Sequence, residues 1–165
     1  FTLAAEKGNM NGEYGLAAMY ELGLGGLQKD IPTAVKWYGL AAQQGKLEAE
    51  IALGQIYDRG KGVPKDMVSA AKYYEAAADK NDFASEVRIA QLYETGQGVS
   101  QNYAAAMKWY SKTADKSFYA EYKIGYFYEH GLGVPKDRTK ALDWYHKSAD
   151  QGCVEAIKAI KELEK

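Results

Sequence analysis

Cysteine is almost missing. The 165 residues include one, Cys153, so neither an internal disulfide framework nor a Cys-built structural zinc site is available. Histidine is nearly as scarce, with two, His130 and His146, and neither has a second His at the spacing of a helical metal motif. No stretch approaches the roughly 18 apolar residues of a membrane span, which argues against direct membrane insertion. Neither sign of charge dominates: Lys and Arg total 21, Asp and Glu 22, for a net charge of −1. That balance argues against a nucleic-acid binder, because phosphate affinity comes mostly from clustered positive charge. The glycine-rich turns lack the Gly-Lys-Ser/Thr of a phosphate loop. The first residue is Phe1, with no charged-then-apolar leader after it; the expectation is an N-terminus cut from something longer.

What the sequence does contain is a repeat. Trp37-Tyr38 recurs as Tyr73-Tyr74, Trp109-Tyr110 and Trp144-Tyr145, and Tyr20 recurs as Tyr57, Tyr93 and Tyr128. The period is about 36 residues, the range of helix-pair repeat proteins. Gly23/Gly25, Gly60/Gly62, Gly96/Gly98 and Gly131/Gly133 keep the same register. The first unit is longer because Gly26 is inserted, and the third is shorter because Ser117-Phe118 stands where the second has Asn81-Asp82-Phe83. Length changes confined to turns are what a modular repeat tolerates.

Each unit reads as two helices. Helix A carries Leu16/Ala17, Leu53/Gly54, Ile89/Ala90 and Ile124/Gly125 one turn before its anchor Tyr. The second residue of each pair is always Ala or Gly, as a close helix–helix approach requires, and Gly-x-Gly closes the helix. Helix B starts at Asp30, Asp66, Asn102 and Asp137, all able to cap free amides, with Pro32 in a first turn. Alanines 34, 70, 106 and 141 precede the aromatic pair, so the first ring of the pair is expected to be a knob in a shallow groove. Helix B stops near Gly45, Asn81, Ser117 and Gly152, where Ser117 is the poorest left-handed former. The expected organisation is a single repeat domain: 1–10 the end of a preceding helix B, four repeats at 11–46, 47–82, 83–117 and 118–152, and a C-terminal capping helix at 153–165.

Acids recur twice per unit: Glu13, Glu50, Glu86 and Glu121 early in helix A, and Glu21, Asp58, Glu94 and Glu129 just after its anchor Tyr. A ladder facing a basic ligand is one reading. Recurrence in every unit favours the structural one, in which the early set complements the helix dipole. The rule also works in reverse: helix-A positions that differ between units are free of the repeat's packing demand. They form a stripe beside the core face, reading Asn11, Tyr14, Gly15, Ala18, Leu22, then Glu48, Ile51, Ala52, Gln55, Arg59. It continues as Ala84, Val87, Arg88, Gln91, Thr95 and finally Tyr119, Tyr122, Lys123, Tyr126, His130. Three of the last set are tyrosines, which combine contact area with low entropy loss.

The unit resembles that of the Sel-1-like repeat (SLR) proteins, relatives of tetratricopeptide repeats, written A-x-x-x-L-G-x-x-Y-x-x-G-x-G-V-x-x-D-x-x-x-A-x-x-W-Y-x-x-A-A-x-x-G. The second unit follows it through Ala49, Leu53-Gly54, Tyr57, Gly60, Gly62-Val63, Asp66, Ala70, Tyr73-Tyr74 and Ala77-Ala78. The fourth does so through Ala120, Ile124-Gly125, Tyr128, Gly131, Gly133-Val134, Asp137, Ala141, Trp144-Tyr145, Ala149 and Gly152. Tyr73 for Trp, Gln101-Asn102 for Lys-Asp, and Thr113 or Ser148 for the first paired Ala are the departures. The resemblance implies an all-α, right-handed α/α superhelix, or solenoid, of helix-turn-helix repeats.

It further implies a non-enzymatic adaptor or scaffold that binds a partner protein or peptide on the concave helix-A surface. Gln55, Arg59, Arg88, Gln91, Tyr119, Tyr126 and His130 are the expected contacts, with no cofactor, metal or catalytic residue. One branch of the family is cysteine-rich and linked to binding or hydrolysing β-lactams; each of its repeats carries a cysteine pair, where this chain has Cys153 alone. That activity and a purely architectural spacer are the alternatives. The family's settings include the bacterial periplasm and cell envelope, and nothing in these residues selects among compartments.

Overall fold

A computed structural model describes residues 1–165 as ten α-helices, one 3-10 turn and no strand. The helices fall into two compact units, Phe1–Ser85 and Glu86–Lys165. The first contains α1 (Thr2–Glu6), α2 (Met10–Leu22), α3 (Ile31–Gln43), α4 (Leu47–Arg59) and α5 (Met67–Asp79), each of α2 to α5 being 13 residues long. α6 (Phe83–Thr95) starts at the boundary; the second unit continues through α7 (Tyr103–Thr113), the 3-10 turn Ala114–Lys116, α8 (Phe118–His130), α9 (Arg138–Asp150) and α10 (Val154–Leu163). Helices this short are marginal alone in water. Their stability comes from packing against chain neighbours: α2 on α3, α3 on α4 and α4 on α5 in one unit, α7 on α8, α8 on α9 and α9 on α10 in the other.

The helix boundaries follow from local chemistry. Asp30 accepts from the Thr33 amide at 3.1 Å, Asn102 from Ala105 at 3.0 Å and Asp137 from Lys140 at 3.0 Å, so each helix B starts with a side-chain cap. Gly23, Gly60 and Gly131 close α2, α4 and α8 with φ of 72°, 65° and 70°, a left-handed conformation that glycine adopts without a Cβ clash. Asn81 reaches φ 65° at the end of the second repeat. Ser117 does not do the same: its φ is −144°, α7 ends through the 3-10 turn, and the Ser117 hydroxyl oxygen accepts from the Ala120 amide at 3.2 Å to open α8. One residue thus serves as both the end of one repeat and the start of the next, which accounts for the short third unit.

In the first unit the core joins Ala17, Ile31, Ala34, Tyr38 and Ala41 of one repeat to Ala49, Leu53 and Ile56 of the next. In the second, Cys153 at the N-cap of α10, with Ala156 and Ile160 within it, packs on Ala141 and Tyr145, while the charged residues of α10 face solvent. The aromatic pair divides its labour differently from the sequence expectation. Trp37, Tyr73 and Trp144 are half-buried and Trp109 is buried, whereas the second ring is deep in every repeat: Tyr38, Tyr74, Tyr110 and Tyr145 are all buried. The small residue of helix A makes room for it. A Cβ on Gly54 would meet the Tyr74 ring at 2.9 Å, and one on Gly125 would meet the Tyr145 ring at 2.7 Å.

Candidate functional site

Both recurrent sets of acids are consumed inside the repeats. Early in helix A, Glu13, Glu50, Glu86 and Glu121 are buried, a position that demands a partner. Each finds it at the end of helix B of its own repeat: Gln44 donates to Glu13 at 2.7 Å, Lys80 to Glu50 at 2.6 Å and Gln151 to Glu121 at 2.6 Å, and Lys112 pairs with Glu86 at 2.7 Å. Helices A and B run antiparallel, so the start of one meets the end of the other. At the opposite end, the buried tyrosine hydroxyl donates to the late acid: Tyr38 to Glu21 at 2.7 Å, Tyr74 to Asp58 at 3.3 Å, Tyr110 to Glu94 at 2.7 Å, and Tyr145 to Glu129. Burial, then the neighbouring carboxylate, pushes the Tyr38, Tyr110 and Tyr145 hydroxyls well above their ordinary pKa. These acids clasp helix pairs together; they are not a ladder for a ligand.

Two of the late clasps also receive a lysine from the following repeat, by different routes. In the first unit Lys61, between the glycines of the turn after α4, reaches Glu21 at 2.8 Å. Burial works against charge on Glu21, but Lys61 and Tyr38 outweigh it and hold the carboxyl below its usual range. In the second unit Lys123, in the middle of α8, reaches Glu94 at 2.7 Å. Burial opposes its charge as well, and Glu94 overcomes it, so the ammonium is held above the ordinary lysine range. Lys123 occupies the register position of Ala52 in the second repeat, and Lys61 that of Leu132 in the fourth.

This exchange decides what lies on the A helices. In the first unit, where the lysine comes from the turn, a cleft of about 290 Å³ remains against α2 and α4. Tyr14, Tyr38, Ile51, Ala52 and Ile56 give it an apolar lining, and Glu21, Glu48, Gln55, Arg59 and Lys61 supply its polar groups. Gln55 and Arg59, expected as contacts, are exposed within it. In the second unit the space equivalent to Ala52 carries the Lys123 chain, whose ammonium lies 5.6 Å from the Tyr119 ring and 5.6 Å from the Tyr126 ring.

The expected contacts of the second unit are accordingly engaged with one another. Arg88 donates to Gln91 at 3.1 Å. Tyr119 meets Tyr110 edge-on at 6.1 Å, and Tyr126 stacks on His130 with ring centroids 4.1 Å apart. Tyr126 and His130 also line a cleft of about 310 Å³ with Tyr122, Glu129 and α10 residues. Tyr122, half-buried, packs on Tyr145 at 5.7 Å. Cys153 caps α10 and is buried; its sulfur lies 3.5 Å from Glu155. The residue that sequence reasoning missed is Lys61. Its signal was available: a cation stands between paired glycines where the other repeats have Leu24, Gln97 and Leu132.

Helix pairs clasped at both ends, with non-recurring residues gathered on the A helices, define an all-α helical-repeat protein. The chain belongs to the Sel1 repeat family, whose repeat matches residues 11–46, 47–82, 84–118 and 118–153. It is similar to a protective antigen of uropathogenic Escherichia coli that displays an SLR fold, with 34% identity and a TM-score of 0.82 over 98% of this chain and 35% of that one. A Sel1 repeat protein of Oxalobacter formigenes is 34% identical with a TM-score of 0.79, over 94% of this chain and 64% of that one. Among curated proteins, 58 residues are 40% identical to the ERAD-associated E3 ubiquitin-protein ligase component HRD3A of Arabidopsis thaliana, covering 35% of this chain and 9% of that protein. Proteins of this family generally serve as non-catalytic scaffolds for protein–protein interaction. No helix here is long and apolar enough to cross a membrane.

Proposed function

We propose that the chain is a non-enzymatic adaptor that holds a partner protein or peptide on its helix-A surface, through Gln55 and Arg59 in the first unit and Arg88, Gln91, Tyr119, Tyr126 and His130 in the second. One observation carries this reading: the acids that recur in every repeat are tied up in clasps within the repeat, while the polar and aromatic residues that do not recur sit on the A helices. A surface that packing leaves free to vary is where recognition can be written. The clasped helices hold that surface in shape beforehand, which lowers the ordering cost of binding.

The test is photo-crosslinking in cells of the source organism. A photo-reactive residue is placed at Gln55 or Tyr126 on helix A, and at the exposed Lys36 or Lys108 on helix B. Adducts from the helix-A positions alone support the adaptor reading. Adducts from the helix-B positions alone overturn the choice of surface, and adducts from none favour an architectural spacer.

A further inference from the structure

The cleft of the first unit contains one charge without a counterpart. Glu21 is held by Lys61 at 2.8 Å and by Tyr38 at 2.7 Å, and Glu48 by Lys46 at 3.2 Å. Arg59 is exposed at the rim and makes no ion pair. A basic residue at a helix C-terminus answers the helix dipole, but that is no requirement of the repeat, since the same register position holds Leu22, Thr95 and His130. Gln55, one turn earlier on α4, presents an amide on the same side. Two turns earlier, Ile51 and Ala52 join Tyr14 in the apolar part of the cleft.

These positions fix a spacing. Ile51 and Arg59 are eight residues apart on α4, which is about 12 Å along a helix. An extended chain covers about 13 Å in four residues. Resting on the adaptor reading, we propose that this cleft binds an extended segment of a partner polypeptide. An Asp or Glu side chain of that segment pairs with the Arg59 guanidinium, and an apolar side chain four positions away seats against Tyr14, Ile51 and Ala52. The guanidinium suits a carboxylate because it can donate two parallel hydrogen bonds. The fixed Glu21–Lys61 pair closes the polar side against a second acid.

The probe is a set of dye-labelled, C-terminally amidated octapeptides. Leu and Glu are fixed four positions apart and the remaining positions are varied among Ala, Ser, Gly and Thr. Matched sets carry Gln or Lys in place of Glu. Fluorescence anisotropy with the whole chain should show the Glu set binding about tenfold tighter than the Gln set, the advantage shrinking with salt. Arg59→Glu should reverse the order so that the Lys set binds best, and Arg138→Glu, at the exposed start of α9 on a helix B of the other unit, should leave it unchanged. Arg59 is exposed, so the variant should stay folded and melt only slightly below the parent, the small loss coming from a carboxylate at a helix C-terminus. Equal binding of the Glu, Gln and Lys sets overturns the acidic chemistry while leaving the adaptor reading intact. An order that survives Arg59→Glu moves the carboxylate elsewhere and overturns the proposal, as does the absence of binding by every set. The adaptor reading itself stands or falls on the crosslinking experiment.

Discussion

The two units build the same clasp and end with different surfaces. Each has a buried tyrosine donating to a late helix-A acid, and each brings a lysine from the next repeat onto that acid. In the first unit the lysine comes from a turn, is about half-exposed, and leaves Ala52 on the helix. In the second it comes from the helix itself, is 18% exposed, and lies between two tyrosine rings. Where a clasp takes up a lysine, the route by which it arrives is free to change. Moving the lysine from helix to turn opens a cleft without giving up the ion pair, a way for a repeat protein to vary its surface while keeping its frame.

The comparison breaks most visibly at the buried ring that both units share. Tyr145→Ala removes a fully buried side chain and should cost about 3–5 kcal/mol in chemical denaturation. Tyr145→Phe keeps the ring but strands Glu129, and should cost about 1–2 kcal/mol. If the two variants lose equally, the hydroxyl rather than the packing carries the position.

The lysines should then separate the units. Lys123→Ala leaves Glu94 without its cation in a partly buried site and should cost about 1–3 kcal/mol. Because the folded state holds the Lys123 proton more tightly, its contribution is complete below the ordinary lysine range and is lost as pH rises through the raised value. The alkaline limb of the stability profile should flatten in this variant. Lys61→Ala breaks a more exposed pair and should cost less than about 1 kcal/mol. The depressed Glu21 carboxyl contributes above the ordinary carboxylate range and loses that contribution as pH falls through the depressed value. A carboxyl NMR titration of Lys61→Ala should move Glu21 back up toward its usual pKa.

The frame of the molecule was legible in the sequence because repetition exposes it. Caps at Asp30 and Asp137, glycine closures at Gly60 and Gly131, and the small residue at Gly54 and Gly125 serve short-range geometry that each repeat must solve again. That the recurrent acids serve the frame rather than a ligand was legible for the same reason, although their burial and their partners were not: Gln44 and Gln151 touch residues 30 or more positions away. The surface was harder to read. The tyrosines of α8 stood out by composition, yet Tyr119 and Tyr126 flank Lys123, a contact that composition does not contain. The cleft beside Ala52 depends on a lysine nine residues further along, at Lys61, whose reach is a tertiary fact.

The most direct measurement exchanges the two designs. The double variant Ala52→Lys/Lys61→Leu gives the first unit the arrangement of the second. Its melt should stay close to that of the parent because the clasp keeps a cation, while crosslinking from Gln55 should be lost because the new side chain fills the cleft. An undiminished adduct from a stably folded double variant would contradict the account, since the open A-helix cleft would then play no part in holding the partner.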